Sequence, residues 1–249
     1  MQIISTSFRF WKNSRISLVW RSLKRWNCLS ALILSGVFFR KQDTAARRSL
    51  FMPVNRSVPD VAQKRKDWNG LISGFKASDL VFLDESGCNT DMTRRYAYSL
   101  GGSRAVDSAP LSKPKNTTIL SSIQLDGTLR YTTFSGGTTV ERFKRYLETD
   151  LLPHLNGNAV LIMDNMKSHH AKAVRNLLDS SGVRYIYLPP YSPDLNPIEK
   201  LWSKVKSFLR KFKARTLDAL PNAIQCAFQI VSPSACSGWF HSCGYSPYF

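Results

Sequence analysis

The stretch Ala159-Val-Leu-Ile-Met-Asp164 is a short apolar run that ends in an acid, which is the pattern of a buried β-strand. A helical pattern follows, with apolar residues at Ala171, Val174, Leu177 and Leu178 and a closing glycine at Gly182. Residues Val183 to Leu188 then form a second strand-like run. Strand, helix and strand in this order predict a β-α-β unit, in which the two strands lie parallel in one sheet.

Three more strands are predicted upstream of this unit. Leu80 to Leu83 is an apolar run that also ends in acids, beginning with Asp84. Thr117 to Leu125 and Leu129 to Phe134 flank Asp126-Gly127, a dipeptide that favours a type I′ turn and therefore an antiparallel β-hairpin. A helix is expected between this hairpin and the β-α-β unit, from apolar residues at Val140, Phe143, Leu147 and Leu151. The fold class is therefore α/β, with a mixed sheet.

The C-terminal third is predicted to be mainly helical. Asn196-Pro197 opens a long amphipathic helix whose apolar face contains Ile198, Leu201, Trp202, Val205, Phe208, Leu209 and Phe212. A last helix is expected from Leu217 to about Ile230. Residues 232–249 are rich in aromatic side chains and are interpreted as a C-terminal tail that packs on the domain or trails it.

The positive charge is concentrated near the N-terminus. The 249 residues include 35 Lys and Arg against 17 Asp and Glu, a formal net charge of +18. Residues 1–66 hold 14 basic and 2 acidic side chains, whereas residues 67–249 hold 21 and 15. An excess of this size favours a polyanionic partner, most often nucleic acid, with an ordinary basic surface as the alternative.

The pattern of apolar and polar residues changes near Pro59. Residues 1–58 show no sustained helical or strand period, so we expect a basic extension that is irregular or poorly ordered. Asp60 can cap the first helix of an organised domain that spans residues 59–231. A second explanation of the extension is translation from a non-native reading frame, which the other frames of the upstream DNA would test.

Composition excludes several classes of protein. With 43% apolar and 12% aromatic residues the chain is too hydrophobic to be wholly disordered, and no run approaches the roughly 20 apolar residues of a membrane span. Five scattered cysteines without a Cys-x-x-Cys pair indicate neither a disulfide framework nor a zinc site. The apolar run Leu29 to Phe39 continues into Arg40-Lys41, where a signal peptide would have its small-residue cleavage site. We therefore expect a cytoplasmic protein.

Three acids are candidates for catalysis. Asp84 and Asp164 each end an apolar run, where open α/β sheets place ligand sites, and Glu199 lies in the first turn of the long helix. Clustered carboxylates suit phosphodiester chemistry, because they hold two Mg²⁺ ions that activate the attacking oxygen and stabilise the leaving oxygen. Structural roles remain as alternatives: Glu199 suits a capping box with Asn196, and an aspartate at a strand end often caps a turn.

The histidine pair His169-His170 follows Asp164 closely in the sequence. Such a pair can orient a phosphate or a water molecule. An adjacent pair in a loop is more often exposed polar surface.

Four motifs carry a family resemblance. They are Leu80-Val-Phe-Leu-Asp-Glu-Ser-Gly87, Met92-Thr-Arg-Arg-Tyr96, Val160-Leu-Ile-Met-Asp-Asn165 with Ser168-His169, and Leu188-Pro-Pro-Tyr-Ser-Pro-Asp-Leu-Asn-Pro-Ile-Glu-Lys200. With the 34 residues that separate Asp164 from Glu199, they resemble the DDE transposases of the mariner superfamily, especially the "six-thirty" branch of bacterial insertion-sequence transposases. The resemblance extends from about Pro59 to Tyr245.

The resemblance implies an RNase H-like mixed β-sheet flanked by helices, with residues 59–231 as the DDE catalytic domain. Asp84, Asp164 and Glu199 correspond to the catalytic, metal-binding triad, and Asn165 and His169 match supporting positions. In the family, two Mg²⁺ ions, for which Mn²⁺ can substitute, activate water to cut the strand at each element end. They then align the freed 3′-hydroxyl for attack on target DNA.

The implied partner is DNA, both element ends and target, bound by a homodimer on paired ends at the bacterial nucleoid, with no membrane involved. Candidate contacts to the DNA backbone are Arg94, Arg95, Lys200, Lys204, Lys206 and Arg210, for which a solvated helix face is the alternative. The helix-turn-helix region with which related proteins recognise terminal repeats is not evident in residues 1–58.

Two other functions stay open. A non-catalytic, DNA-binding transposase remnant would bind DNA in a salt-dependent way without cutting it. A hydrolysis-only RNase H-like nuclease would cut DNA but would not join the ends.

Overall fold

The computed structural model describes residues 58–94, 99, 101, 103–108 and 115–245. The expectations for the basic extension therefore lie outside the described residues, apart from Val58, and so does the candidate Arg95. The first helix of the described part, α1 (Pro59–Ile72), begins at the predicted change in residue pattern. The prediction that Asp60 caps it is wrong: Val58 is the N-cap, no side chain makes a cap hydrogen bond, and Asp60 lies in the first turn.

A five-stranded mixed sheet lies at the centre of the described residues. Its strands are β1 (Leu80–Cys88), β2 (Thr117–Gln124), β3 (Leu129–Ser135), β4 (Val160–Met163) and β5 (Arg184–Tyr187), in the order β3-β2-β1-β4-β5. β1 and β3 are antiparallel to β2, whereas β1, β4 and β5 are parallel to one another. The predicted hairpin, β-α-β unit and mixed sheet are confirmed.

β1 is longer than its apolar run predicted. The strand continues from Leu83 to Cys88 because residues 84–88 pair with residues 117–121 of β2. Asp84 was expected at the end of a strand, but it lies within one. The parallel pairing with β4 does stop just before it, at Leu83 and Met163. Asp84 and Asp164 are consequently the next residues on two neighbouring parallel strands.

The hairpin loop also differs from the expected type I′ turn. That turn needs a positive φ at both central residues, but φ is positive at Gly127 (90°) and not at Asp126. The Gly127 N–H donates to the Gln124 carbonyl (3.2 Å), and the Gln124 N–H donates to the Thr128 carbonyl (3.1 Å). The loop is therefore a three-residue connection closed by a left-handed glycine.

Helices cover both faces of the sheet. They are α1, α2 (Val140–Tyr146), α3 (Lys172–Ser181), α4 (Ile198–Phe212), α5 (Ala219–Gln229) and α6 (Pro233–Ser242), and α2 continues into a π-helical turn, Leu147–Leu151. Phe82 faces a core shared with α4, α5 and α6, whereas Leu83 faces a second core with α2 and α3. Alternate residues of β1 thus serve opposite cores. No helix of the described part has the length and apolar character that a membrane crossing requires.

α4 buries the apolar face that the sequence predicted, with one exception. Ile198, Leu201, Trp202, Val205 and Leu209 are buried. Phe212 was expected on this face, but it is 49% exposed and stacks on Phe208 with ring centroids 5.7 Å apart. Phe212 lies in the last turn of α4, beyond the edge of the core.

The C-terminal stretch that was interpreted as a tail contains α6. Ser232 caps this helix by accepting a hydrogen bond from the Ala235 N–H (3.3 Å), and Pro233 occupies the first helical position. Phe240 is fully buried and packs edge-on against Phe82, with ring centroids 5.3 Å apart. The aromatic side chains of this stretch therefore complete the core on the α4 side of the sheet.

The loop between β5 and α4 is held from two sides. The Trp68 Nε1–H donates to Tyr245 Oη (3.2 Å), and this hydroxyl donates to the Leu195 carbonyl (2.6 Å). Arg65 of α1 forms an ion pair with Asp194 at 2.7 Å. The segment that leads into Glu199 is thus tied both to α1 and to Tyr245, three residues beyond α6.

Candidate functional site

The three predicted acids line one cleft of about 440 Å³. Asp84 extends from β1, Asp164 follows β4, and Glu199 lies in the first turn of α4. The parallel register of β1 and β4 brings the two aspartates side by side, and α4 packs against β1. The loop from Leu188 to Pro193 also lines the cleft. The structure therefore brings together three carboxylates that are far apart in the sequence.

Asp84 is the most buried of the three acids, with 9% of its surface exposed. Its Oδ2 accepts a hydrogen bond from the Trp202 Nε1–H at 3.0 Å. Burial raises the pKa of Asp84 to about 7; the Glu85 backbone and Trp202 hydrogen bonds oppose this rise, and the Glu199 and Asp164 charges add to it. The cleft therefore disfavours a full set of negative charges unless a cation accompanies them.

The pKa of Glu199 is also raised, but less than that of Asp84. Loss of hydration in the cleft raises the pKa of Glu199; the Lys206 charge opposes the rise and the Asp164 charge adds to it. The residue at the N-cap of α4, Pro197, makes no side-chain cap hydrogen bond, and the Glu199 N–H donates to the Asn196 carbonyl at 3.2 Å. The capping-box alternative thus finds no support in these contacts.

His169 connects Asp164 to a fourth acid, Glu85. Its Nδ1 lies 2.9 Å from Asp164 Oδ1, and its Nε2 lies 3.1 Å from Glu85 Oε1. The ring is fully buried and stacks on Phe143, with centroids 4.2 Å apart. The interpretation of the histidine pair as exposed surface is therefore wrong for His169, while His170 stacks on Tyr187 at 4.0 Å.

The charges of this group stabilise one another. Burial alone would lower the pKa of His169, but the hydrogen bonds to Asp164 and Glu85 raise it to about 10. Burial would raise the pKa of Asp164, but the hydrogen bonds from His169 and the Met166 N–H outweigh it and lower the pKa. The two carboxylates consequently favour the protonated form of His169, whose ring nitrogens both donate.

Glu85 is the site residue that the sequence reasoning missed. It follows Asp84 in a strand, so it points to the opposite face of the sheet, toward the core with α2 and α3. A charged residue at a position of period two with Val81 and Leu83 was the available signal. Ligand atoms of Glu85, Asp164 and His169 lie within 4.8 Å of one another. Because both ring nitrogens contact carboxylates, the ring has no nitrogen left for an ion.

Asn165 supports the cleft from its wall. Its side-chain amide donates a hydrogen bond to the Leu188 carbonyl. This contact ties the end of β4 to the start of the loop that faces the acids.

The candidate DNA contacts fall in different places. Lys206 lies close enough to Glu199 for its charge to act on that carboxyl group. Lys200 and Lys204 line a second groove of about 600 Å³ together with Lys211 and Trp239, and Lys204 Nζ lies 5.8 Å from the centroid of the Trp239 ring. Arg210 is half-buried on the same helix, and Arg94 is exposed in the loop after β1.

The donor set of the cleft fits a hard divalent cation. Three carboxylates and no thiolate line it, and oxygen ligands of this kind suit Mg²⁺ or Mn²⁺. Burial is the main cause of the raised pKa values of Asp84 and Glu199, and the neighbouring acids add to it, so a bound cation would favour the ionised forms. Asp84, Asp164 and Glu199 are thus the residues that would hold it.

Comparison with known proteins links this arrangement to one family. Residues 79–221 match the family described as DDE superfamily endonuclease, which is more than half of the chain and includes all three acids. The transposable element Tc1 transposase of Caenorhabditis elegans is 30% identical over 97 residues, covering 37% of this chain and 36% of that protein. The chain thus matches about a third of the length of this relative.

Solved structures of Mos1 transposase share the fold. A pre-cleavage Mos1 transpososome has a TM-score of 0.69 at 18% identity, covering 82% of this chain and 65% of that one. A Mos1 mariner paired-end complex with Mn has a TM-score of 0.65 at 18% identity, covering 84% and 67%. The Mos1 catalytic domain with Raltegravir and Mg has a TM-score of 0.57 at 16% identity, covering 79% and 92%. At these identities the likeness establishes the RNase H-like fold.

Proposed function

This chain belongs to the DDE superfamily of endonucleases, and we propose that it contains the catalytic domain of a DNA transposase. The observation that carries the proposal is the meeting of Asp84, Asp164 and Glu199 in one cleft, within the part of the chain that matches the family. The similarity to Tc1 transposase over 97 residues and the Mos1-like fold favour a transposase over other nucleases.

In this proposal the three carboxylates hold two Mg²⁺ ions, with Mn²⁺ able to substitute. When bound, the ions supply Lewis-acid chemistry, which generates the attacking oxygen and stabilises the leaving one. The protein's own part is positioning: Trp202 fixes Asp84 by its Nε1–H, and Asn165 fixes the facing loop at Leu188. Divalent metal dependence is common to DDE transposases, and Mos1 has been crystallised with both Mn and Mg.

The partner in this proposal is DNA, both at element ends and at the target. The groove with Lys200, Lys204 and Lys211 offers three cations and an indole ring, which suits a phosphate backbone with adjacent bases. We assign Arg94, Arg95, Lys206 and Arg210 to the same role as a proposal. The Mos1 paired-end complexes support an assembly of two copies on paired ends, and a bacterial protein of this kind would act at the nucleoid.

The finer assignment is to the bacterial "six-thirty" branch. It rests on the 34 residues between Asp164 and Glu199 and on the motif from Leu188 to Lys200. The absence of a recognisable helix-turn-helix in residues 1–58, and the boundaries at residues 58 and 231, belong to the same proposal.

Nicking of supercoiled DNA with Mg²⁺ or Mn²⁺ tests the proposal. Wild-type protein is compared with Asp164→Asn, which keeps the size of the side chain but removes a charge from the cleft. Asp218→Asn, an exposed aspartate that makes no cap hydrogen bond, is the matched control. We expect metal-dependent nicking by the wild type and the control, and a loss of at least about 100-fold in Asp164→Asn, because a metal ligand is removed.

The other outcomes separate the alternatives. Folded protein that binds DNA in a salt-dependent way but never nicks it would be a non-catalytic remnant. Joining of a pre-cut end to a second DNA molecule distinguishes a transposase from a hydrolysis-only nuclease, which yields cut DNA without a joined product.

A further inference from the structure

Glu85 and Asp84 are adjacent in β1 but serve opposite faces of the sheet. Asp84 lies on the side of α4, where Trp202 contacts it, whereas Glu85 lies on the side of α2 and α3. His169, in the loop after β4, lies between Glu85 and Asp164. A carboxylate behind the sheet is thereby connected, through one buried ring, to a carboxylate of the cleft.

We propose that Glu85 is a positioning residue, which holds His169 so that His169 fixes the orientation of Asp164 for metal binding. This inference rests on the proposed function, because it assigns Asp164 to the metal site. Glu85 acts through His169 and does not touch the cation or the DNA.

The contacts at Asp164 explain what is being fixed. Its Oδ1 accepts a hydrogen bond from the Met166 N–H at 3.0 Å and lies 2.9 Å from His169 Nδ1, which is also 3.3 Å from the Asp164 backbone carbonyl oxygen. These contacts constrain the torsion of the carboxylate, and Oδ2 is the oxygen that would act as a ligand. A hydrogen-bonded partner behind a metal ligand commonly controls its orientation and basicity.

The ring of His169 is itself held firmly. Phe143 stacks on one face of the ring, and the backbone carbonyl of His169 accepts a hydrogen bond from Tyr187 Oη at 3.0 Å. Stacking still leaves the ring free to turn in its own plane. The contact from Nε2 to Glu85 Oε1 at 3.1 Å removes that freedom, so that Nδ1 faces Asp164.

Burial of Glu85 is costly for the fold, which argues against a purely structural role. The side chain is 7% exposed, and its second oxygen, Oε2, is buried without a hydrogen-bond partner among the described residues. The neighbours of Glu85 on this face of β1, Val81 and Leu83, are apolar, so packing alone gives no reason for a carboxylate here. The position thus keeps a charge that packing alone does not favour.

Mn²⁺ affinity, measured by electron paramagnetic resonance on the full chain without DNA, tests this inference. Glu85→Leu removes the acceptor for the Nε2–H, whereas Glu85→Gln keeps an acceptor oxygen at the same reach. We expect Mn²⁺ binding to weaken about 10- to 100-fold in Glu85→Leu and to be largely restored in Glu85→Gln. Glu148→Leu, at an exposed glutamate, serves as the matched control and should bind Mn²⁺ as the wild type does.

The nitrogen-15 spectrum of His169 in metal-free wild-type protein gives a second, independent reading. A proton on Nε2, directed at Glu85 and protected from solvent exchange, is expected. A ring nitrogen that carries no proton toward Glu85 would overturn the inference, whether or not Glu85→Leu folds.

The results distinguish the inference from the proposed function. If Glu85→Leu binds Mn²⁺ as tightly as wild type while Asp164→Asn loses binding, the metal site stands and the role of Glu85 is refuted. If the wild type binds no Mn²⁺, the proposed function fails and the inference fails with it.

Discussion

At the scale of single residues, Asp84 is where stability and chemistry oppose each other. The carboxylate is 9% exposed, accepts one indole hydrogen bond and lies near two other acids. Its pKa of about 7 in the folded chain, against an ordinary value of 3.8, means that the fold without metal prefers the neutral form. A charge on Asp84 therefore costs stability in the folded chain.

This conflict predicts the stability of Asp84→Asn in metal-free protein. The folded pKa is raised, so the wild type should lose free energy of unfolding as the pH rises from about 4 to about 7. The asparagine variant lacks this loss and should therefore be more stable than wild type at pH 8, by about 2 to 4 kcal/mol, and nearly equal to it at pH 4. Urea unfolding in the presence of a chelator measures the difference.

A wild type and variant with parallel pH dependence would contradict this account of Asp84. Added Mg²⁺ provides the complementary check. It should stabilise the wild type and have little effect on Asp84→Asn.

At the scale of elements, the hairpin loop and α6 depend on each other. A Cβ on Gly127 would lie 2.9 Å from Pro233 Cα, and the φ of 90° at this glycine is one that other residues rarely adopt. The β2-β3 loop thus packs directly on the first turn of α6. The sequence pattern predicted the hairpin loop but not α6, and this loop packs against the start of α6.

Gly127→Ala should lower the free energy of unfolding by about 1 to 3 kcal/mol, because both the backbone conformation and the contact with Pro233 are lost. Gly137→Ala is the control, since a Cβ there meets nothing within 4 Å. The two variants are compared by thermal unfolding. Equal melting temperatures would show that the loop does not pack on α6.

Phe240→Ala tests whether α6 belongs to the core. Phe240 is fully buried against Phe82, so its removal leaves a cavity and should cost about 3 to 5 kcal/mol. The neighbouring His241 is exposed, and His241→Ala should change stability little. Urea unfolding of both variants gives the comparison, and similar midpoints would place α6 outside the cooperative unit.

The elements show what could be predicted from the sequence and what could not. Apolar runs that end in acids predicted the strands and marked Asp84 and Asp164 as candidates, but the parallel pairing of β1 with β4 that places them side by side is non-local and is seen only in the structure. The extension of β1 to Cys88 was not predicted, since residues 84–88 are not apolar and their pairing with β2 is non-local. The contact between Glu85 and His169 joins residues 84 positions apart, and no local pattern reports it.

At the scale of the whole molecule, positive charge is placed along one helix. The only acid of α4 is Glu199, while five basic residues, Lys200, Lys204, Lys206, Arg210 and Lys211, lie on the same helix. Three of these lysines share the groove with Trp239. A polyanion bound there would lie on the helix that also carries an acid of the cleft.

The triple variant Lys200→Ala, Lys204→Ala, Lys211→Ala should weaken duplex DNA binding and reduce its salt dependence. Removal of three phosphate contacts should make the negative slope of log affinity against log salt less steep by about 2 to 3, since each contact contributes about −0.9 for duplex DNA. Fluorescence anisotropy at several salt concentrations measures the slope. A control that removes three exposed lysines elsewhere, Lys66, Lys76 and Lys172, loses the same charge. If both variants change equally, net charge and not the groove governs binding.

The hydrogen bond from Tyr245 to Leu195 bears on the order in which parts of the protein fold during synthesis. A ribosome completes the three acids at residue 199, but the loop that lines their cleft gains its second brace, beside the Arg65–Asp194 ion pair, only when Tyr245 has left the exit tunnel. Domains fold as units during synthesis. A nascent chain that already contains Asp84, Asp164 and Glu199 therefore lacks this brace of the cleft, because Tyr245 follows Glu199 by 46 residues.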